Sequence, residues 1–212
     1  MELTLVLDGR TASGGTPLLM HNERLADPLD PIARALSAVN GKKKKTITDH
    51  EEMARIEFYG GLYTDPAIPR LDAVDGQRPI LPAWNIHRTL RAGATRWRRG
   101  QDINRGVLPL AQFSELAYVP AAEGATAPRG AQALWEDGGY VLRHSAKVQM
   151  SRVMRTRPMF TDWQAELLVE VDTDLIDPDE LEAWWKYAGR LGTGDWRPLY
   201  GRFQGTIKEM AA

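Results

Sequence analysis

The sequence predicts an α+β fold whose elements run β-α-β-β-α-β once two long insertions are set aside. Three stretches carry that prediction. Residues 2–7 alternate, with Leu3, Leu5 and Leu7 on one side, as a half-buried strand requires. Residues 83–99 place Ile86, Leu90, Ala94 and Trp97 on one helical stripe and Arg88, Arg91, Arg98 and Arg99 elsewhere. Residues 164–171, QAELLVEV, alternate strictly, and a helix-opening phrase, Asp177-Pro178-Asp179-Glu180, follows. Strand and helix periods in this order give the ferredoxin-like arrangement.

Taken along the chain, the first strand is followed by a glycine turn, Ser13-Gly14-Gly15, and a proline-punctuated loop, PLLMHNERLADPLDP. Asp27 and Asp30 in that loop read as turn formers. Residues 31–40 predict a short helix with Ile32, Leu36 and Val39 inward. Four consecutive lysines, Lys42 to Lys45, read as a mobile solvated loop. Thr48 and Glu51 make a capping-box pattern for a helix over 49–58, ended by Gly60-Gly61. Residues 62–81 read as a proline-rich connection with room for a short strand pair. The helix after Pro82 is expected to end at Gly100, a C-terminal cap.

Residues 101–135 lack strong periodicity and include a stretch expected to be flexible, AAEGATAPRG. Residues 140–160 read as a basic β-hairpin or arm carrying Arg143, Lys147, Arg152, Arg155 and Arg157. On a strand, Arg155 and Arg157 share a face and Arg152 takes the other. In the closing helix Asp177 is the cap, Pro178 sits in the first turn, Glu180 closes a capping box, and Leu181, Trp184, Trp185 and Ala188 form the buried face. A glycine-bearing loop, GTGDWRPLYG, leads to a last strand over 202–208. The whole reads as a single domain, 1–212, with insertions at about 10–80 and 101–160 that form the basic arm.

Composition bounds the function. The 212 residues are 43% hydrophobic and 26% charged, as in an ordinary globular chain. No run approaches the roughly 18 apolar residues of a membrane span, and the first residues do not read as a secretory signal. A chain without cysteine has no disulfide, thiol nucleophile or cysteine zinc site, and fits a reducing cytoplasm. The net charge of −1 hides an asymmetry: −3 over 1–77, +8 over 78–160 and −6 over 161–212. In the middle third every cation but Lys147 is arginine, whose planar fork matches phosphate and stacks on bases. A segment of that sign points to a polyanion partner.

Two segments carry a family resemblance. LPAWNIHRTLRAGATR resembles the helix of CRISPR RAMP proteins through Leu81, Pro82, Ile86, Arg88, Leu90 and Arg91. Ala83-Trp84-Asn85 stands where that phrase has a small-residue turn. LGTGDWRPLYGRF resembles the glycine-rich loop of the same superfamily through Gly192, Gly194, Arg197, Tyr200, Gly201 and Arg202, with Asp195-Trp196 and Pro198 interrupting its basic run. The phrase PLLMHNERLADPLDP is similar to uncharacterised proteins of bacteriophage genomes. The resemblance implies a RAMP-like member with an RRM-like core, related to the backbone subunits that bind single-stranded nucleic acid and polymerise along it.

The expected function is therefore non-enzymatic, largely sequence-independent binding of single-stranded DNA or RNA by head-to-tail copies, with no cofactor, no metal and no membrane partner. Candidate contacts are Arg88, Arg91, Arg98, Arg99, Arg152, Arg155, Arg157, Gly194, Trp196, Arg197 and Arg202. Gly194 would let backbone amides approach phosphate. Candidate base platforms are Trp84, Trp97, Trp196, Tyr200 and Phe160, although the apolar stripes also place Trp97, Trp184 and Trp185 in the core. The first alternative is a metal-independent RNA endonuclease using His21 or His87 as general acid or base, neither of which has a recognisable partner set. The second is a phage structural protein or an inhibitor of a host complex.

Overall fold

In the computed structural model, which describes residues 1–64, 78–119, 130–148 and 151–209, strand β1 (Glu2–Gly9) buries Leu3, Leu5 and Leu7 on one face. It pairs antiparallel with β8 (Trp163–Val171) on one side and with β9 (Gln204–Glu209) on the other. β4 (Val107–Pro109) pairs antiparallel with the far edge of β8, so the sheet order is β4-β8-β1-β9. The register puts Leu3 opposite Val169, Leu5 opposite Leu167 and Leu7 opposite Ala165. Paired residues share a face, so the apolar sets of the two strands meet on one side.

Two helices cover that side. α3 (Ala83–Thr95) buries Ile86, Leu90 and Ala94, and α6 (Pro178–Leu191) buries Leu181, Trp184, Trp185 and Ala188. Asp177 caps α6 by accepting from the Asp179 and Glu180 amides. Trp185 Nε1 donates to the Val6 carbonyl at 3.1 Å, which ties α6 to β1. The helices cross closely because Gly93 has no side chain. A Cβ there would lie 2.5 Å from the Trp184 carbonyl oxygen and 2.8 Å from Ala188 Cβ. The opposite sheet face holds Asp8, Glu166, Glu170 and Lys208, with no arginine on its described strands.

The chain divides into two compact units. The first takes Met1–Leu19, Ile80–Val119 and Phe160–Ala212; the second takes Met20–Pro79 and Pro120–Met159. The second unit falls within the stretches 10–80 and 101–160 expected as insertions, whereas residues 10–19 and 101–119 of those stretches belong to the first unit. The first unit also holds β2 (Leu18–Leu19) and a short pair, β3 (Ile80–Pro82) with β5 (Phe113–Glu115). Beyond β4 the chain keeps to the β8 edge: the Leu110 amide donates to the Leu168 carbonyl, and Ala117 bridges to Gln164.

In the second unit α1 (Pro31–Asn40) is capped by Asp30, which accepts from the Ile32 amide at 2.7 Å. α2 (Ile47–Gly61) packs on it through Ile32, Val39 and Ile56. α5 (Ala131–Asp137) places Trp135 against Phe58, ring centroids 5.5 Å apart. β6 (Val141–Val148) and β7 (Ser151–Phe160) form the expected antiparallel hairpin, with His144 opposite Arg155 and Leu142 opposite Arg157.

Several expectations are corrected. The α2 capping box is Thr46 with Asp49, two residues before the expected Thr48 with Glu51, and the helix runs through both glycines. Lys42 is no free member of a loose loop: its ammonium pairs with the Asp49 carboxylate at 2.5 Å. That contact, with the Thr46 amide and hydroxyl, holds the Asp49 carboxyl well below the usual carboxylate range. The long helix stops at Thr95, and Gly100 opens α4 (Gly100–Gly106) instead of capping α3. α5 and the short strands β2, β4 and β5 fall where no element is expected. Most of the proline-rich connection at 62–81, and nearly all of AAEGATAPRG, lie outside the described residues.

Candidate nucleic-acid interface

The side of α3 that faces away from α6 is a stripe. Trp84, Arg88, Arg91 and Thr95 are all exposed, and at about 100° per residue they fall within roughly 60° of one another. Neither Arg88 nor Arg91 has a carboxylate partner among the described residues. Pro82 enters the helix at φ −59°, a value its ring enforces, so Trp84 starts the stripe in the first turn.

The glycine-bearing loop after α6 lies beside this helix. The buried hydroxyls of Thr89 on α3 and Thr193 in the loop meet at 3.1 Å. The loop is held by left-handed residues, Gly192 at φ +78°, Gly194 at +80°, Trp196 at +51° and Gly201 at +73°. Its amides are largely committed: Thr193 donates to Gly201, Asp195 to Leu19 and Gly201 to Pro17. A Cβ on Gly194 would collide with the Leu19 carbonyl oxygen. Gly194 thus has a packing role, as the residue that lets the loop close on β2.

The remaining candidates of the first unit divide by what their heads touch. Arg197 is exposed, with Nη1 3.4 Å from the Gly192 carbonyl oxygen. Arg202 fixes its backbone to Thr16 and leaves an exposed side chain. Arg98 is exposed in the turn after α3 at φ +63°. Arg99 holds the fold together: its Nε is 3.0 Å from Asp102, its Nη2 donates to the Leu175 carbonyl at 3.2 Å, and the guanidinium lies over Trp184. Trp196 is half-buried, its ring 6.2 Å from that of Tyr200.

The arginines of the second unit are arranged otherwise. Arg152 is exposed and donates to the Ser145 hydroxyl at 3.1 Å. Arg155 Nη1 donates to Glu57 at 2.7 Å, and the Thr156 amide donates to the other oxygen of that buried carboxylate at 2.9 Å. Arg157 is only 7% exposed, with Nη1 on the Thr156 carbonyl.

Two aromatic assignments are corrected. Phe160 is fully buried against Tyr118, ring centroids 4.9 Å apart, and offers no platform. Trp97 is 44% exposed instead of being core, because the helix that would have turned it inward ends two residues earlier. Its ring meets Tyr187 edge-on at 5.5 Å, with the Arg96 guanidinium 4.8 Å from the Tyr187 centroid. Arg96 and Trp97 are therefore surface residues that the stripe argument misses; the four cations between 96 and 105 are the sequence signal for them.

His87 Nε2 lies 3.2 Å from the Ile103 carbonyl oxygen, which fits a donor holding α3 to α4. Among the described residues no group of three acidic or histidine side chains is placed to hold a metal ion, and no helix is long and apolar enough to cross a membrane. No family model matches the chain, and no curated protein matches it.

Proposed function

We propose that the chain binds single-stranded nucleic acid, largely without sequence preference, along α3 and the neighbouring glycine-bearing loop. The observation that carries this reading is the exposed stripe Trp84, Arg88 and Arg91, whose two arginines have no carboxylate partner among the described residues, set beside the loop that bears Arg197 and Arg202. Cations that track a phosphate backbone, with an aromatic ring among them, suit a strand whose bases are open for stacking. Phosphate contacts and stacking carry little sequence information.

The sheet supports a ferredoxin-like reading of the first unit. Strands β1, β4, β8 and β9, joined through α3 and α6, follow β-α-β-β-α-β with the sheet order β4-β8-β1-β9. The RAMP-like assignment rests on that order and on the two motif segments, which lie side by side through Thr89 and Thr193. Binding across the open face of the sheet is disfavoured, since Asp8, Glu166 and Glu170 would repel phosphate. Head-to-tail copies would set the basic middle third of one chain against the acidic last third of the next.

Fluorescence anisotropy with labelled single-stranded DNA, single-stranded RNA and duplex tests the reading across a salt series. Single strands should bind more tightly than duplex, and four or five phosphate contacts should give a log–log salt slope near −3, at about −0.7 per contact. The RNA should remain uncut with and without divalent metal. A flat salt response, a preference for duplex, or cleavage would contradict the proposal.

A further inference from the structure

The two edges of the sheet in the first unit differ. The chain covers the outer edge of β8 along its length: β4 pairs at one end, the Leu110 amide donates to the Leu168 carbonyl, and Ala117 bridges to Gln164 at the other end. β9, at the opposite edge, pairs with β1 alone, and among the described residues no backbone group bonds its outer side. Such an edge presents amides and carbonyls ready to pair with another strand. β9 has no proline and no bulge in its register with β1, and only Lys208 blunts it. Over this edge α6 turns Trp184 and Ala188 towards α3, and Trp185 and Gly189 towards the sheet. At about 100° per residue, the side opposite α3 carries Asp179, Glu182, Lys186 and Arg190 within roughly 80° of one another. That stripe is acidic in the first half of the helix and basic in the second.

We infer that β9 pairs antiparallel with β9 of a second copy across a two-fold axis perpendicular to the sheet, joining two four-stranded sheets into one. Residues that face each other in an antiparallel pair share a sheet face, so the axis passes through a residue. Centred on Gly205 it would set Lys208 against Arg202 of the second copy, and centred on Lys208 it would set that residue against itself. Centred on Thr206 it sets Thr206 against its own copy and Gln204 against Lys208. It also sets Ile207, half-buried opposite Leu5, against Gly205. Trp185 lies against Gly205, so this axis passes near the middle of α6. The two outward stripes then run antiparallel, with the acidic half of each beside the basic half of the other. A partner of the same sequence thus supplies strand hydrogen bonds, a Thr–Thr pair and opposite charges together. Unlike a head-to-tail contact, this one closes at two copies, and it uses no residue of the α3 stripe.

The test is sedimentation equilibrium of the full chain without nucleic acid, at about 0.15 M salt and up to about 100 μM protein. The parent should reach twice the chain mass with a Kd of about 10 μM or tighter. Thr206→Lys and Thr206→Asp each place like charges face to face at the axis. Either variant alone should therefore stay monomeric, with the far-UV circular dichroism of the parent. Mixed in equal amounts, the two should dimerise again, within about tenfold of the parent affinity, because each new ammonium then meets a carboxylate. A monomeric parent, dimerisation of either variant alone at the parent's strength, or a mixture of folded variants that stays monomeric would each overturn the inference.

Discussion

Arginines on α3 and arginines on the β6–β7 hairpin look alike in the sequence and do different work. Arg88 and Arg91 are exposed on one helical stripe with no acid opposite among the described residues. Arg155 is committed to Glu57, and Arg157 is buried. What separates them is a carboxylate 98 positions away from Arg155. A basic segment therefore measures how much positive charge a chain carries and not how much of it is available to a partner. Availability is set by tertiary pairing, and long-range pairs leave no local periodicity.

The comparison is sharpened most by removing Glu57. Glu57→Ala leaves the Arg155 head and the Thr156 amide without their acceptor in a largely dry site. Urea denaturation should show a loss of about 2–3 kcal/mol, the lower part of the range for buried pairs because the Arg155 side chain is one-third exposed. A change within about 0.5 kcal/mol would mean that the hairpin arginines are not held as described.

Gly194 comes next. Gly194→Ala places a side chain at φ +80° and against the Leu19 carbonyl oxygen. Strain of this kind costs about 1–3 kcal/mol, so the melting temperature should fall. The variant would also loosen the loop that carries Arg197 and Arg202. An unchanged melting temperature would show that the loop has room to shift.

The smallest effect concerns Asp8, whose carboxyl the Arg10 side chain, with further help from the Arg10 amide and Ser13, lowers to about 2. A carboxyl lowered in the folded chain adds stability above its unfolded value, near 3.9. That stability is lost as pH falls through the folded value. Asp8→Asn should cost under about 1 kcal/mol near neutral pH, since Arg10 is half exposed. The difference should shrink below pH ~4 and vanish near pH ~2. A constant difference across that window would contradict the assignment.

The sequence makes the long periodic elements legible. The alternation in β1 and β8 and the Asp177-Pro178 opening of α6 are local signals of strand and helix, and each appears where it points. Boundaries set by packing are less legible. Nothing from Arg96 to Arg99 breaks a helix, and Gly100 looks like a cap, so the stop at Thr95 and the outward turn of Trp97 have no local mark. β4 and β5 have three residues each, too few to show a period. Thr46 wins the α2 cap over Thr48 because Asp49 returns its hydrogen bond and Lys42 pairs with Asp49, a cooperative set that a spacing rule alone does not rank. For the candidate interface, Arg88 and Arg91 are legible from the α3 stripe. The structural roles of Arg99 and Arg155 are not, since Leu175 and Glu57 reach them only in the folded chain, and neither is the burial of Arg157.

Strand binding along α3 depends on its exposed guanidiniums, and the most direct measurement is the salt-dependent affinity of Arg88→Ala/Arg91→Ala for a labelled single strand. Affinity should fall about tenfold or more, the salt slope should shrink by about 1 to 2, and the unfolding free energy should stay within about 0.5 kcal/mol of the parent. Unchanged affinity and slope in a fully folded variant would contradict the central claim.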